Sequence, residues 1–149
     1  MSYRLLRADS AFWRPSNQMG VPNTDLAKQL EAKELGARLW RLEPGQASTR
    51  HRHPTQEELY LLLEGTGRIR IDDDETLTLG PHDALLVEPS SVRQVFNDGG
   101  EPALWLVVGA PPELANTLEM TREQLAAMYP DGPRALPPEL GGGEQPPQA

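Results

Sequence analysis

An all-β domain is what this sequence predicts, and three observations carry the prediction. From residue 37 to about residue 110, apolar residues alternate with polar ones in runs of four to eight. Gly, Pro, Asn and Asp clusters punctuate those runs, giving about eight short strands at spacings of roughly eight to twelve residues, the rhythm of a small sandwich or barrel. A chain of 149 residues suits one domain with a real core.

Residues 1–36 read as an N-terminal arm. Phe12, Trp13 and Pro15 precede a Pro/Asn/Gly-rich stretch ending at Pro22, an irregular segment expected to pack aromatics on the barrel or on a partner subunit. Asn23–Thr24 can cap a helix over TDLAKQLEAKEL, with an edge strand as the competing reading and Gly36 as its end. Residues 37–110 form the β-domain. Ala37–Glu43 alternates, Pro44–Gly45 turns, and a segment through His51 and His53 follows. Glu58–Glu64 is apolar on both faces, with Tyr60 and Leu62 beside Glu58 and Leu59, Leu61 and Leu63 opposite. Such a strand needs cover on its outer side. Gly67–Asp72 and Glu75–Gly80 form a hairpin around an acidic turn, Asp72–Asp74, that lacks calcium-loop spacing. Ala84–Val87, Arg93–Asn97 and Ala103–Gly109 complete the set.

Residues 111–130 form an extension with one helix, Thr121–Met128, where Thr121 and Gln124 make a capping box and Pro130 stops the helix. Residues 131–149 are so rich in Pro and Gly that a disordered tail is expected.

The formal net charge is −8, and no basic cluster marks a nucleic-acid surface. The longest apolar runs are far too short to span a membrane. The N-terminus has no leader-like apolar core and cysteine is absent, so a cytoplasmic protein without disulfides is the expectation.

The chemistry concentrates at GQASTRHRHPTQEELYLLLEG, Gly45–Gly65. His51 and His53, two apart, share one face of an extended chain, and Glu58 follows. Two imidazoles and a carboxylate around open positions are a ligand set for non-haem iron and for catalytic zinc or manganese. The spacing G-x5-H-x-H-x4-E-x6-G resembles the first signature motif of the cupin superfamily. The resemblance implies a jelly-roll β-barrel (double-stranded β-helix). It also implies a divalent transition metal (Fe, Mn, Zn or Ni) on His51, His53 and Glu58. Small single-domain cupins often form homodimers, and one is expected here, helped by the apolar outer face of Leu59–Leu63.

The family's second motif, roughly G-x5-P-x-G-x2-H-x3-N, aligns by length with His82–Asn97, placing Arg93 where the third ligand histidine belongs. Arginine stays protonated and cannot ligate a metal. Three readings follow. His51, His53 and Glu58 hold the metal while Arg93 clamps an anionic ligand beside it. Alternatively, Arg93 pairs with Glu58 in a metal-free pocket. In the third, Glu88 or Gln94 supplies a fourth ligand. Tyr60, on the same face as Glu58, can donate to a ligand or simply pack, and Trp40 and Trp105 are expected in the core or at a subunit contact. The functions that follow are a metal-dependent enzyme (dioxygenase, isomerase or decarboxylase) on a small anionic or oxygenated molecule, a non-catalytic ligand-binding barrel, or an interaction protein using its tail.

Overall fold

In the computed structural model, residues 2–113 and 116–147 are described, and they form two facing antiparallel sheets. The strands are β1 (Trp13–Pro15), β2 (Pro22–Asp25), β3 (Gly36–Leu42), β4 (Glu57–Glu64), β5 (Gly67–Ile71), β6 (Glu75–Leu79), β7 (Ala84–Val87), β8 (Arg93–Phe96) and β9 (Ala103–Ala110). The larger sheet runs β1-β2-β3-β9-β4-β7, and the smaller runs β6-β5-β8.

Alternation places the core. In β9, Ala103, Trp105 and Val107 face inward and are buried, while Leu104, Leu106 and Val108 face out. In β4, Tyr60 and Leu62 point in and meet Trp105 and Val107 of the neighbouring strand. Ile69 and Val95, paired across β5 and β8, come from the other sheet. The glycines that bracket the histidine motif take conformations a side chain would resist: Gly45 has φ +86° and Gly65 has φ +81°. A Cβ on Gly65 would also lie 2.3 Å from the Pro102 carbonyl oxygen.

Three segments differ from the sequence reading. The arm is not irregular throughout, because β1 and β2 extend the large sheet by pairing Trp13 with Thr24 and Thr24 with Leu39. Phe12 and Trp13 are 67% and 37% exposed and do not pack into the barrel. The helix expected over TDLAKQLEAKEL shrinks to α1 (Leu26–Gln29), capped by the Asp25 carboxylate on the Lys28 amide. Glu31, at φ +55°, ends it.

Residues 131–147, read as disordered from composition, lie on the outer side of the small sheet. The Gln94 amide donates to the Ala135 carbonyl at 2.9 Å, Arg70 pairs with Glu139, and Leu136 and Leu140 pack on the core. Composition underestimates such a segment because its order comes from a few specific partners rather than from its own apolar content. Between barrel and tail, α2 (Arg122–Met128) carries the expected capping box of Thr121 and Gln124.

The outer side of β4 is left without cover among the described residues: Leu59 is 41% exposed and its neighbour Leu86 on β7 is 56% exposed. No helix is long and apolar enough to cross a membrane among the described residues.

Candidate metal centre

Two backbone hydrogen bonds fix the first histidine, His51 N–H to Arg93 O and Arg93 N–H to His51 O, as a one-residue extension of the small sheet. His53 lies beyond that bridge and is held by its own N–H to Pro89 O. The flanking residues Arg50 and Arg52 point outward and hold the C-terminal segments: Arg50 pairs with Asp131, and the Arg52 side chain donates to the Ala127 carbonyl. The two imidazoles therefore converge although only one of them sits in a β-bridge. Their ring centroids are 4.9 Å apart and the planes are at 89°.

The Glu58 Oε1 atom is the point of convergence. His51 Nε2 lies 3.3 Å from it and His53 Nε2 3.2 Å. The Tyr60 hydroxyl donates to it at 2.8 Å, and Arg93 Nη1 stands 3.7 Å away. Burial pushes the Glu58 carboxyl up, but His51 and His53, as donors and charges in their protonated forms, more than reverse this and hold it well below the usual carboxylate range. Burial, then the Glu58 charge, drive Tyr60 well above its ordinary value, so its hydroxyl stays a donor. Its ring also meets Trp105 edge-on, with centroids 6.1 Å apart.

The outer nitrogens of both imidazoles settle how the inner ones behave. His51 Nδ1 is 3.0 Å from the Thr49 carbonyl oxygen, which can only accept, and this contact favours the tautomer with its proton on that nitrogen. His53 Nδ1 is 3.1 Å from the Glu113 carboxylate, with the same consequence. In the neutral imidazoles both Nε2 atoms then present lone pairs toward a carboxylate oxygen. His53 Nε2 is buried and has no hydrogen-bond partner. Three lone-pair atoms brought this close repel one another unless a cation sits among them. One ligand atom from each of His51, His53 and Glu58 lies within 4.8 Å of the others. These donors, with protons held on the outer nitrogens, fit a divalent transition metal.

A cavity of about 310 Å³ opens from this cluster. His51, Glu58 and Tyr60 line its inner end, Gln56 and Tyr129 its sides, and Trp40, Lys28 and Arg38 its outer part. Arg38 is held against Asp25 at 3.0 Å and over the Trp40 ring at 5.9 Å, so Trp40 belongs to the cavity wall. Burial pushes the Tyr129 hydroxyl up to about 12, with the Glu58 charge adding to it.

Arg93 does not line the cavity. It is fully buried, donates to the Glu88 carbonyl at 2.6 Å, and turns its Nη1 to Glu58. Its expected place as a clamp on an anion in the cavity is thus not where the side chain lies, because the Glu58 carboxylate and the carbonyls of the β7–β8 turn hold it behind the cluster. Neither candidate for a fourth ligand joins. Gln94 faces the opposite side of β8, with its amide on Ser48 O and Ala135 O, and Glu88 is exposed on the turn. His82 is exposed on a turn outside the cavity.

Glu113 and Tyr129 were not legible from local patterns. Glu113 lies 60 residues from His53, past Pro111–Pro112, with no motif around it. Tyr129 could have been suspected as an aromatic at a helix end just before Pro130.

Comparison with known proteins agrees with this architecture. The family model described as "Cupin domain" matches residues 38–109. An uncharacterised protein of Methanocaldococcus jannaschii is 31% identical over 46% of this chain and 54% of its own length. The tetracenomycin polyketide synthase protein TcmJ of Streptomyces glaucescens is 30% identical over 68% of this chain and 64% of its own. The chain thus spans between about half and two thirds of these curated relatives. A crystal structure of a cupin-superfamily sugar phosphate isomerase from Silicibacter pomeroyi superposes with a TM-score of 0.64 at 29% identity, over 73% of this chain and 76% of that one. Motif, two-sheet architecture and family match lead to one statement: this chain carries a small cupin domain of the jelly-roll type, spanning residues 38–109.

Proposed function

We propose that the protein is a metal-dependent cupin enzyme acting on a small anionic or oxygenated metabolite. His51, His53 and Glu58 hold a divalent transition metal, one of iron, manganese, zinc or nickel. The observation that carries this reading is the buried, unpartnered Nε2 of His53, aimed at Glu58 with its proton held on the far nitrogen. A bound metal would supply Lewis acidity toward substrate oxygens.

The chain's own residues do the rest. A cavity of about 310 Å³ admits a small metabolite. Lys28 in its outer part offers positive charge to an acidic group, Arg38 being paired with Asp25, and Tyr129 and Gln56 offer polar contacts nearer the cluster. Arg93 acts from behind, as a fixed positive charge beside Glu58. With a divalent ion, Glu58, Glu113 and Arg93 sum as +2 − 1 − 1 + 1, or about +1, which favours an anion. The sugar phosphate isomerase among the structural relatives acts on a substrate class of this kind.

Arg93 at 3.7 Å from Glu58 favours a second reading, a metal-free ligand-binding barrel closed by that ion pair. Metal analysis of protein purified without a chelating column, followed by titration with Zn²⁺, Mn²⁺, Ni²⁺ and Fe²⁺, separates the two. Uptake of one equivalent, abolished in H51A, supports the enzyme; no metal and no uptake leaves the barrel. Calorimetry with inorganic phosphate before and after chelation should show weaker binding once the metal is gone.

The exposed Leu59 and Leu86 on the outer sheet face support a homodimer through that face. Light scattering at micromolar concentration checks it, and a monomer there rules it out.

A further inference from the structure

The carboxylate of Glu113 belongs to no recognised element of the barrel. It follows the last strand and lies outside the segment matched by the cupin model. Even so, it is three-quarters committed to one job. Its Oε2 accepts from the Thr55 N–H at 2.8 Å, from the Thr55 hydroxyl at 2.7 Å, and from the Gln56 N–H. Its Oε1 is left to accept from His53 Nδ1 at 3.1 Å. The loop 54–56 thus clamps one oxygen with backbone donors that cannot reorient, and the geometry leaves the other oxygen aimed at the imidazole.

We propose that Glu113 is a positioning residue that sets the tautomer of His53, keeping the proton on Nδ1 and the lone pair of Nε2 turned toward Glu58. The C-terminal segment therefore completes the metal centre, although it contributes no ligand to it. Carboxylate partners of ligating histidines raise the basicity of the imidazole and fix its ring. The inference rests on the metal reading above.

Glutamine at this position separates electronic positioning from plain loop anchoring. An amide has one oxygen and one NH₂. The two backbone N–H groups of residues 55 and 56 require the oxygen on their side. The NH₂ then faces His53 Nδ1, which must accept rather than donate. The imidazole proton moves to Nε2, and the atom that pointed a lone pair at the cluster becomes a donor. The loop keeps its anchor while the ligand is lost.

Two measurements test this. Long-range ¹H–¹⁵N NMR of the metal-free parent at about pH 8, where an ordinary imidazole is neutral, should show His53 protonated on Nδ1. In E113Q the same resonances should report the Nε2–H form, and Zn²⁺ affinity from a chelator competition should fall about 10- to 100-fold with little change in melting temperature. The proposal is overturned if the parent carries its His53 proton on Nε2. It is equally overturned if E113Q loses zinc affinity without a change of tautomer, since the residue would then be only a loop anchor, or if E113Q binds zinc like the parent. Should E113Q fail to fold, the parent spectrum decides alone. Should the parent take up no zinc, the metal reading fails, and the tautomer in the metal-free protein still decides the role of Glu113.

Discussion

Removing the Arg93 charge should destabilise the metal-free protein by an amount that Glu58 largely accounts for. The two groups are 3.7 Å apart, with Arg93 fully buried and Glu58 12% exposed. At an effective dielectric of about 20, a pair at that distance interacts by roughly 4.5 kcal/mol gross. Breaking a buried pair by removing one partner costs about 3–5 kcal/mol, since the other charge is left behind. Here the Tyr60 hydroxyl also donates to the carboxylate, so the stranded charge is partly compensated. We expect R93M to lose about 3–4 kcal/mol, and the R93M/E58Q cycle to give a coupling of about 2–3 kcal/mol. The bond from Arg93 to the Glu88 carbonyl is lost in both arms and cancels. Urea unfolding in the presence of a chelator measures all four proteins. In zinc-loaded samples the coupling should shrink, because the ion replaces the guanidinium as the cation beside Glu58. A coupling below about 0.5 kcal/mol in the metal-free protein would refute the pairing and, with it, the role given to Arg93.

Three further outcomes are expected. The Tyr129 hydroxyl is raised from 10.0 to about 12 in the folded protein, so its ionised form prefers the unfolded chain. Stability from this group is complete below about pH 10 and falls by roughly 2–3 kcal/mol as pH rises toward 12; Y129F should remove that loss from the alkaline unfolding profile. A Cβ on Gly67 would lie 2.4 Å from Cζ2 of the buried Trp105 ring. G67A should therefore cost about 1–3 kcal/mol, read as a drop of roughly 3–10 °C in a melt followed by tryptophan fluorescence. Deleting residues 131–149 removes buried Ala135 and Pro137 and the partners of Gln94 and Arg70. The loss should be about 2–4 kcal/mol in urea unfolding.

The motif at Gly45–Gly65 was legible because its parts depend on local geometry. Two glycines, two histidines and a carboxylate can be read from spacing; the glycines do take positive φ, and one ligand atom from each of His51, His53 and Glu58 comes within 4.8 Å of the others. The barrel strands were legible for the same reason, since alternation is a property of each strand by itself. What escaped was set by partners distant in the chain. β2 (PNTD) has little β-propensity and exists because β3 offers an edge to pair with. The run beyond Pro130 looked unstructured, yet two side chains of the small sheet hold it. Arg93 was placed correctly beside Glu58 by motif length, but its direction was not. A residue at a ligand position can face the ligands without facing the cavity, and only the packing around β8 decides which. Glu113 was invisible for a simpler reason: a single acidic residue after a proline pair carries no pattern at all.

Arg93 and Gln94 are consecutive, and each reaches a different part of the molecule. The first holds Glu58, while the second fastens the terminal stretch through Ala135 and the segment leading to His51 through Ser48. One peptide bond therefore links the cluster around Glu58 to the outer wrapping of the barrel. Anything that peels that wrapping away, whether a protease, a fused tag or a binding protein, would take a hydrogen bond from the strand on which the buried guanidinium is mounted. The stretch around Ala135 is thus a handle on the surroundings of Glu58.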